Sequence, residues 1–451
     1  MRGNKTLGAE RKFQPAQILA SGFLAAILMG TVMLMLPFST QAGQMKFSDA
    51  LFTSTSAVCV TGLIVQDTSA FFTTAGKIII LILFQLGGLG IMTFSTLILL
   101  VARKRISFKD RILIQEGYHP SASHNVKALI RNIFIYTVSI ELAGTMALFF
   151  SWRGEFYGPQ SFFQSFFHSV SAFCNAGFSL FQNSFIAYRG DFWINAILTV
   201  LIVLGGLGFL VLQEARHILV SLFKRRPIHV SLHTKLVVVI TVILLVVSAL
   251  LFMILEWNRS LGGFDADEKI LASFFQVVTA RTAGFNTMNL NALGFAAIFL
   301  LISLMFVGAS PGSTGGGVKT STIGVVTAFL KSKIQARDSV NIFYRTLPTE
   351  VITKAFTLVT LSIGVIFTAS FLLFITQPGA LMHEVFFEVF SAFGTVGLSL
   401  GITSELTVAS KIIVIITMFI GRIGPLMLLY ALSRAKAYGR FEYGEETVMI
   451  G

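Results

Sequence analysis

Residues 308–317 read GASPGSTGGG and interrupt a strongly apolar stretch, with FAAIFLLISLMFV before them and VKTSTIGVVTAFL after. Three chemistries fit such a segment on paper. GASPG matches the G-x-S-x-G nucleophile pattern at Ser310, but that pattern works from a strand-to-helix elbow with a histidine partner. The flanks here have helical character, and His168 and His383 belong to segments expected nearer the outer side. GSTGGGVKT approaches the phosphate loop G-x-x-x-x-G-K-[ST], but Val318 separates Gly317 from Lys319 and no strand precedes it. The third chemistry is that of the backbone itself. Pro311 removes a donor, and Gly312 and Gly315 to Gly317 remove helix preference. Non-helical backbone at membrane depth survives only inside protein or beside a water-filled cavity.

A second set of residues offers backbone chemistry four times over. The segments ALFTSTSAVCVTGL, SFFHSVSAFCNAGF, SFFQVVTARTAGF and VFFEVFSAFGTVGL align on Gly62, Gly177, Gly284 and Gly397. Each has Phe ten residues earlier (Phe52, Phe167, Phe274, Phe387) and Leu or Phe one residue later. The turns themselves are Val60-Thr61-Gly62, Asn175-Ala176-Gly177, Thr282-Ala283-Gly284 and Thr395-Val396-Gly397. Glycine permits backbone geometry that lets successive carbonyls face one way. Rings of such carbonyls replace the hydration shell of potassium. No ring of Asp or Glu occurs in the turns, which disfavours a calcium-type filter. Thr282 and Thr395 bring hydroxyls that add a ligand or brace the turn.

These residues need elements to hold them. The chain has 451 residues, of which 54% are hydrophobic and 12% charged, with a mean hydropathy of +0.79. A soluble domain carries about twice that charge, so the composition indicates a polytopic membrane protein. Cys59 and Cys174 form neither a disulfide framework nor a metal set. The N-terminal apolar run is of spanning length rather than that of a signal core and is read as the first span. Apolar runs fall near 17–36, 75–101, 128–151, 193–222, 233–256, 291–330, 350–376 and 407–434, the sixth being the interrupted one. Five basic clusters hold 23 of the 34 Lys and Arg, at 2–12, 102–131, 224–235, 331–354 and 434–440. They fall at both ends and after every second span, so both termini are predicted cytoplasmic. The net charge of +13 is then a topology signal, and a nucleic-acid partner is not expected.

The four turn segments lie in the outer connections. Their apolar parts, about ten residues long, are too short to cross a bilayer and are expected to dip in and return. The predicted fold is all-α: eight spanning helices and four re-entrant pore helices, in four span–pore helix–span (M1-P-M2) repeats around a pseudo-fourfold pore. The boundaries are a cytoplasmic N-terminus 1–16, repeats 17–101, 102–222, 223–330 and 331–434, and a cytoplasmic tail 435–451. Pore-helix C-termini carry partial negative charge toward the cavity, which favours a cation. The second span of each repeat has a glycine-rich spot: Gly87, Gly88 and Gly90; Gly205, Gly206 and Gly208; residues 308–317; and Gly421 and Gly424.

The repeat, with RTAGFN, SAFGTVGLS, GASPGSTGGGVKT and MFIGRIGPL, resembles the Trk/Ktr/HKT potassium transporter superfamily, and within it the bacterial KtrB/KtrD-type membrane subunit, over essentially the whole chain. The resemblance implies potassium uptake across the cell membrane through a filter of the twelve turn residues. It implies that Gly308, Ala309, Ser310, Pro311, Gly312, Ser313, Thr314, Gly315, Gly316 and Gly317 form a gating loop beneath that filter. It further implies a homodimer with one pore per protomer and a cytosolic RCK-type ring of the KtrA/KtrC kind that binds ATP or ADP, and it allows uptake with or without sodium dependence. No cofactor is expected in this chain, and no enzymatic activity. The tail FEYGEETVMIG resembles the family's dimer-forming tail.

Arg422, in FIGRIGPL, is an intramembrane arginine and so a functional candidate, expected to act on the loop as an electrostatic element or as a tie to loop carbonyls. Lys319 is expected to be a cavity charge or to pair with loop carbonyls. Arg281 is expected behind the third turn, bracing pore-helix carbonyls or an acid such as Glu388. Cys59 and Cys174 are expected to be small buried side chains. The alternative function is an ion-coupled carrier of an organic solute, whose discontinuous helices also form a midplane site but which gives no reason for four equivalent turns.

Overall fold

The computed structural model describes residues 15–90, 126–156, 158–225, 227–228 and 230–432. The N-terminal segment, the tail FEYGEETVMIG, most of the 102–131 basic cluster, and His119, His124 and His229 lie outside the described residues. The described residues are mostly helical. In order come α1 (Pro15–Met35), α2 (Phe47–Val58), α3 (Thr68–Phe71), α4 (Thr74–Gly88), α5 (Val126–Ser151), α6 (Gly158–Cys174), α7 (Phe192–Leu207) and α8 (Phe209–Phe223). Then follow α9 (Leu232–Glu256), α10 (Ala266–Thr279), α11 (Phe295–Phe306), α12 (Thr320–Ile334), α13 (Thr349–Thr376), α14 (Met382–Gly394), α15 (Val408–Ile423) and α16 (Pro425–Leu432). A hairpin of β1 (Asn341–Ile342) and β2 (Arg345–Thr346) joins α12 to α13.

Among the described residues, α1, α5, α9 and α13 each contain a stretch long and apolar enough to cross a membrane. Among the described residues, the apolar runs after the turns are not straight spans; residues 91–101 of the first lie outside the described residues. α4 and α11 have 15 and 12 residues, and α7 and α8 form a pair bent by 105°. The sequence reading had 193–222 and 407–434 as continuous runs. The structure breaks them at Gly208 and Gly424, both with φ of +91°, a conformation that ends a right-handed helix and that glycine adopts at little cost. Pro425 then opens α16, where its missing N–H is not needed.

The short helices α2, α6, α10 and α14 have 12, 17, 14 and 13 residues. Each is buried along most of its length, and Phe52, Phe167 and Phe387 are fully buried, whereas Phe274 is exposed. The third Phe of the sequence alignment therefore points away from the packed face. Helix contacts run in a cycle. α4 packs on α6, α7 on α10, α11 on α14, and α15 returns to α2. Across this closure Lys411 of α15 pairs with Asp49 of α2 at 2.7 Å.

Two glycines in the first helices permit the same close packing. A side chain on Gly30 would collide with the Ser54 hydroxyl and Leu83, and one on Gly144 with the Ser169 hydroxyl and Leu201. Ser54 donates to Ile27 O and Ser169 to Glu141 O, both at 2.7 Å. The short helices α2 and α6 are thus each hydrogen-bonded to the long helix before them.

Candidate functional site

The four turns after α2, α6, α10 and α14 meet. A Cβ on Gly62 would lie 2.6 Å from Ala176 O and 2.8 Å from Gly177 Cα. One on Gly177 would lie 3.0 Å from Ala283 O and 3.2 Å from Gly284 Cα. One on Gly284 would collide with Val396 O, and one on Gly397 with Thr61 O. Each glycine therefore faces the carbonyl that precedes the next glycine, and the fourth faces the first. No side chain fits in that ring.

The backbone of each turn alternates. Val60, Asn175, Thr282 and Thr395 have φ of 56°, 58°, 90° and 50°, and the glycines two residues later have 89°, 71°, 82° and 93°. A β-branched residue at positive φ is an outlier, costing about 1–3 kcal/mol when the surroundings hold it there. Those surroundings are the ends of the short helices. Thr61 N donates to Ser56 O, Ala176 N to Ser171 O and Val396 N to Ser391 O, at 2.7–2.8 Å. Gly62 N donates to Ser56 Oγ and Gly397 N to Ser391 Oγ, both at 3.1 Å. Ser171 Oγ instead donates to Phe178 O. In the third turn Ala283 N and Gly284 N both reach Thr279 O. With the N–H groups drawn back into the helices, the carbonyls remain for whatever lies between the turns. Ser56, Ser171 and Ser391 were missed in the sequence, although each stands six residues before its glycine.

Residues 308–317 lie directly against these turns. Their ends are pinned together by the Val307–Val318 bridge and by Val318 N donating to Phe306 O. Asn175 Nδ2 donates to Thr314 Oγ1 at 3.2 Å, and Gly316 N donates to Thr395 Oγ1 at 3.1 Å. A Cβ on Gly315 would collide with Thr282 Oγ1. On the other side Ser310 N and Thr314 N donate to Gly206 O and Gly205 O, and Phe209 N donates to Gly312 O. Part of the role of the glycine-rich spots is close approach. Gly87, Gly205 and Gly421 sit on the carbonyls of Val58, Phe173 and Phe393, where a Cβ would collide.

Three cationic side chains hold the loop. Arg422 is buried and donates to Thr314 O through Nη1 and to Gly87 O through Nη2. Lys319 Nζ donates to Gly315 O at 2.6 Å and to Gly316 O at 3.3 Å. Arg281 Nη2 lies 3.5 Å from Gly308 O. Glu388, suggested by the sequence as a partner for Arg281, instead accepts from Ser399 and Thr403 at 2.7 and 2.6 Å. Those two bonds tie it to the connection after the fourth turn. Among the described residues, none of the three cations has a carboxylate partner.

The rival chemistries find no geometry. Ser310 Oγ accepts from Thr320 Oγ1 at 3.0 Å. His168 is taken up by Gln164 O, Ser179 Oγ and Leu180 N. No group of His, Cys, Asp and Glu that would hold a metal occurs among the described residues. Cys59 and Cys174 are free and buried. Cys174 donates to Gln85 Oε1 at 3.2 Å, and Gln85 Nε2 donates to Glu141 Oε2 at 3.1 Å. This polar cluster behind the second turn also went unread. Its signal was Glu141, a single acid in an apolar run.

A helical membrane protein whose bundle closes on four glycine turns, with a broken helix lodged against them, is the class this site defines. The chain belongs to the TrkH cation transport protein family, whose model matches residues 5–439. It is 39% identical over 442 residues to the Ktr system potassium uptake protein B of Bacillus subtilis, covering 98% of this chain and 97% of that one. It is 35% identical over 448 residues to the potassium/sodium uptake protein NtpJ of Enterococcus hirae, covering 98% of each. The crystal structure of the potassium transporter TrkH from Vibrio parahaemolyticus shares the fold, with a TM-score of 0.71 over 95% of this chain and 87% of that one at 23% identity.

Proposed function

We propose that this protein takes up potassium across the cell membrane, through a filter lined by the carbonyls of residues 60–62, 175–177, 282–284 and 395–397. The observation that carries the reading is the cyclic contact of Gly62, Gly177, Gly284 and Gly397, made by turns most of whose N–H groups are bonded back into their own short helices. Carbonyls so arranged can replace the hydration shell of a cation. The potassium named for the Ktr relatives agrees with it.

In this reading the chain comprises four M1-P-M2 repeats, 17–101, 102–222, 223–330 and 331–434, around a pseudo-fourfold pore, with both termini cytoplasmic. Residues 308–317 are the gate. They lie against three of the four turns, and the Arg422 guanidinium, beside Thr314, opposes a cation coming through. Lys319 and Arg422 act as latches, because each holds loop carbonyls that must be released for the loop to move. The protein works as a homodimer, with a nucleotide-binding cytosolic ring that carries ATP or ADP and docks on the basic inner loops.

The test is the potassium-to-sodium flux ratio of the Gly284→Ser variant. A side chain there collides with Val396 O and must adopt a φ of +82°, so the ratio should fall toward one. An unaltered ratio in a folded variant would remove the filter from these residues.

A further inference from the structure

Val60, Asn175, Thr282 and Thr395 occupy one position in the four turns, two residues before the glycine, and all are fully buried. Three of them bear a side-chain oxygen, and each of those three meets a different consecutive residue of the loop. Asn175 meets Thr314, Thr282 meets Gly315, and Thr395 meets Gly316. Two of the oxygens, Asn175 Oδ1 and Thr282 Oγ1, have no hydrogen-bond partner among the described residues. The third, Thr395 Oγ1, accepts from Gly316 N at 3.1 Å. Buried acceptors without donors are uncommon and call for an explanation. A hydroxyl or amide oxygen that lacks a donor is equally a ligand for a hard cation.

We propose that Asn175 Oδ1, Thr282 Oγ1 and Thr395 Oγ1 form a potassium site at the inner end of the filter, and that this site and the closed loop exclude each other. The inference rests on reading the turns as a filter. In the closed arrangement the Gly316 N–H supplies the partial positive charge at Thr395 Oγ1 that an ion would otherwise supply. The Lys319 ammonium, bonded to Gly315 O and Gly316 O, adds a tethered full charge against the same two residues. An ion entering the site takes the Thr395 oxygen from Gly316 and meets Lys319 at close range. Both effects drive residues 314–316 away. Potassium arriving through the filter thus helps to open the loop beneath it, before any signal from a cytosolic partner. The first turn contributes no side-chain oxygen because Val60 stands there, so the site has three side-chain ligands rather than four.

The experiment uses the full chain carrying Ser313→Cys, with an impermeant thiol reagent and potassium or N-methylglucamine as the cation. Cys59 and Cys174 are buried, and the chain without Ser313→Cys gives the background. Labelling should be about fivefold faster in potassium, the change expected from one hydrogen bond of ordinary strength. The decisive second variant is Thr282→Val. Removing the Thr282 oxygen should raise the potassium concentration for half-maximal response about fivefold, read against the same variant's own labelling in N-methylglucamine. Thr282→Ser should restore the original response. Ion-independent labelling, or a potassium response unaltered by Thr282→Val, would overturn the proposal. Potassium and sodium flux is read on the same preparation. Selective flux with ion-independent labelling refutes only the competition, whereas unselective flux in the unsubstituted chain refutes the filter itself.

Discussion

Two pieces of non-helical backbone sit in contact in this protein, and they are held in opposite ways. The four turns are fixed from within, each by the last residues of its own short helix and by its neighbours' carbonyls. The loop at 308–317 is fixed from without, by Arg422, Lys319, Asn175, Thr395 and the glycine-rich end of α7. Nearly all bonds that shape a turn are local in sequence. Arg422 reaches Thr314 across 108 residues and Gly87 across 335. Strained residues such as Val60 and Thr282 persist only where their surroundings over-determine them. A segment held by a few long side chains can let go of them one at a time. The difference suits the turns to a fixed geometry and the loop to two positions.

Substitutions that act on one region and spare the other sharpen this contrast. Among single changes, Arg422→Ala should have the largest effect on flux. It removes two charge-assisted hydrogen bonds, each worth about 1.5–3 kcal/mol, so flux should rise tenfold or more with the potassium-to-sodium ratio kept; unchanged flux would show that Arg422 is not a latch. Next comes Gly284→Ser, which should lower the ratio severalfold while leaving the loop in place, as checked by thiol labelling at position 313. Lys319→Met should raise flux by less than Arg422→Ala, since the Arg281 and Arg422 contacts remain. Asp49→Asn should change neither flux nor ratio appreciably and should lower the melting temperature by a few degrees. It weakens the pair that joins the last unit to the first; a large loss of selectivity there would mean that the closure also shapes the turns.

Much of the candidate site was legible because it repeats. Four aligned glycines marked the positions that carry positive φ, and a proline with four glycines marked the broken helix. The interruptions at Gly208 and Gly424 were harder to see. They lie in apolar runs of spanning length, where a glycine is compatible with a continuing helix, and only its φ decides. Partners of buried charges were also hidden. The sequence offered Glu388 to Arg281, but hydroxyls of Ser399 and Thr403 reach that acid first. Glu141, Gln85 and Cys174 come from three separate helices, and nothing in their spacing announces that they meet. Ser56, Ser171 and Ser391 stand at one aligned position, but serine is common in such helices and its bracing bond to the turn shows only in three dimensions.

The central claim is that a selective path ends on a removable obstruction. It is tested most directly by cation flux into liposomes containing this protein alone, with and without residues 312–317. Potassium-preferring flux that rises when those residues are removed, at an unchanged potassium-to-sodium ratio, is the predicted result. Equal passage of potassium and sodium in the shortened chain, or no gain in flux at all, would contradict the account.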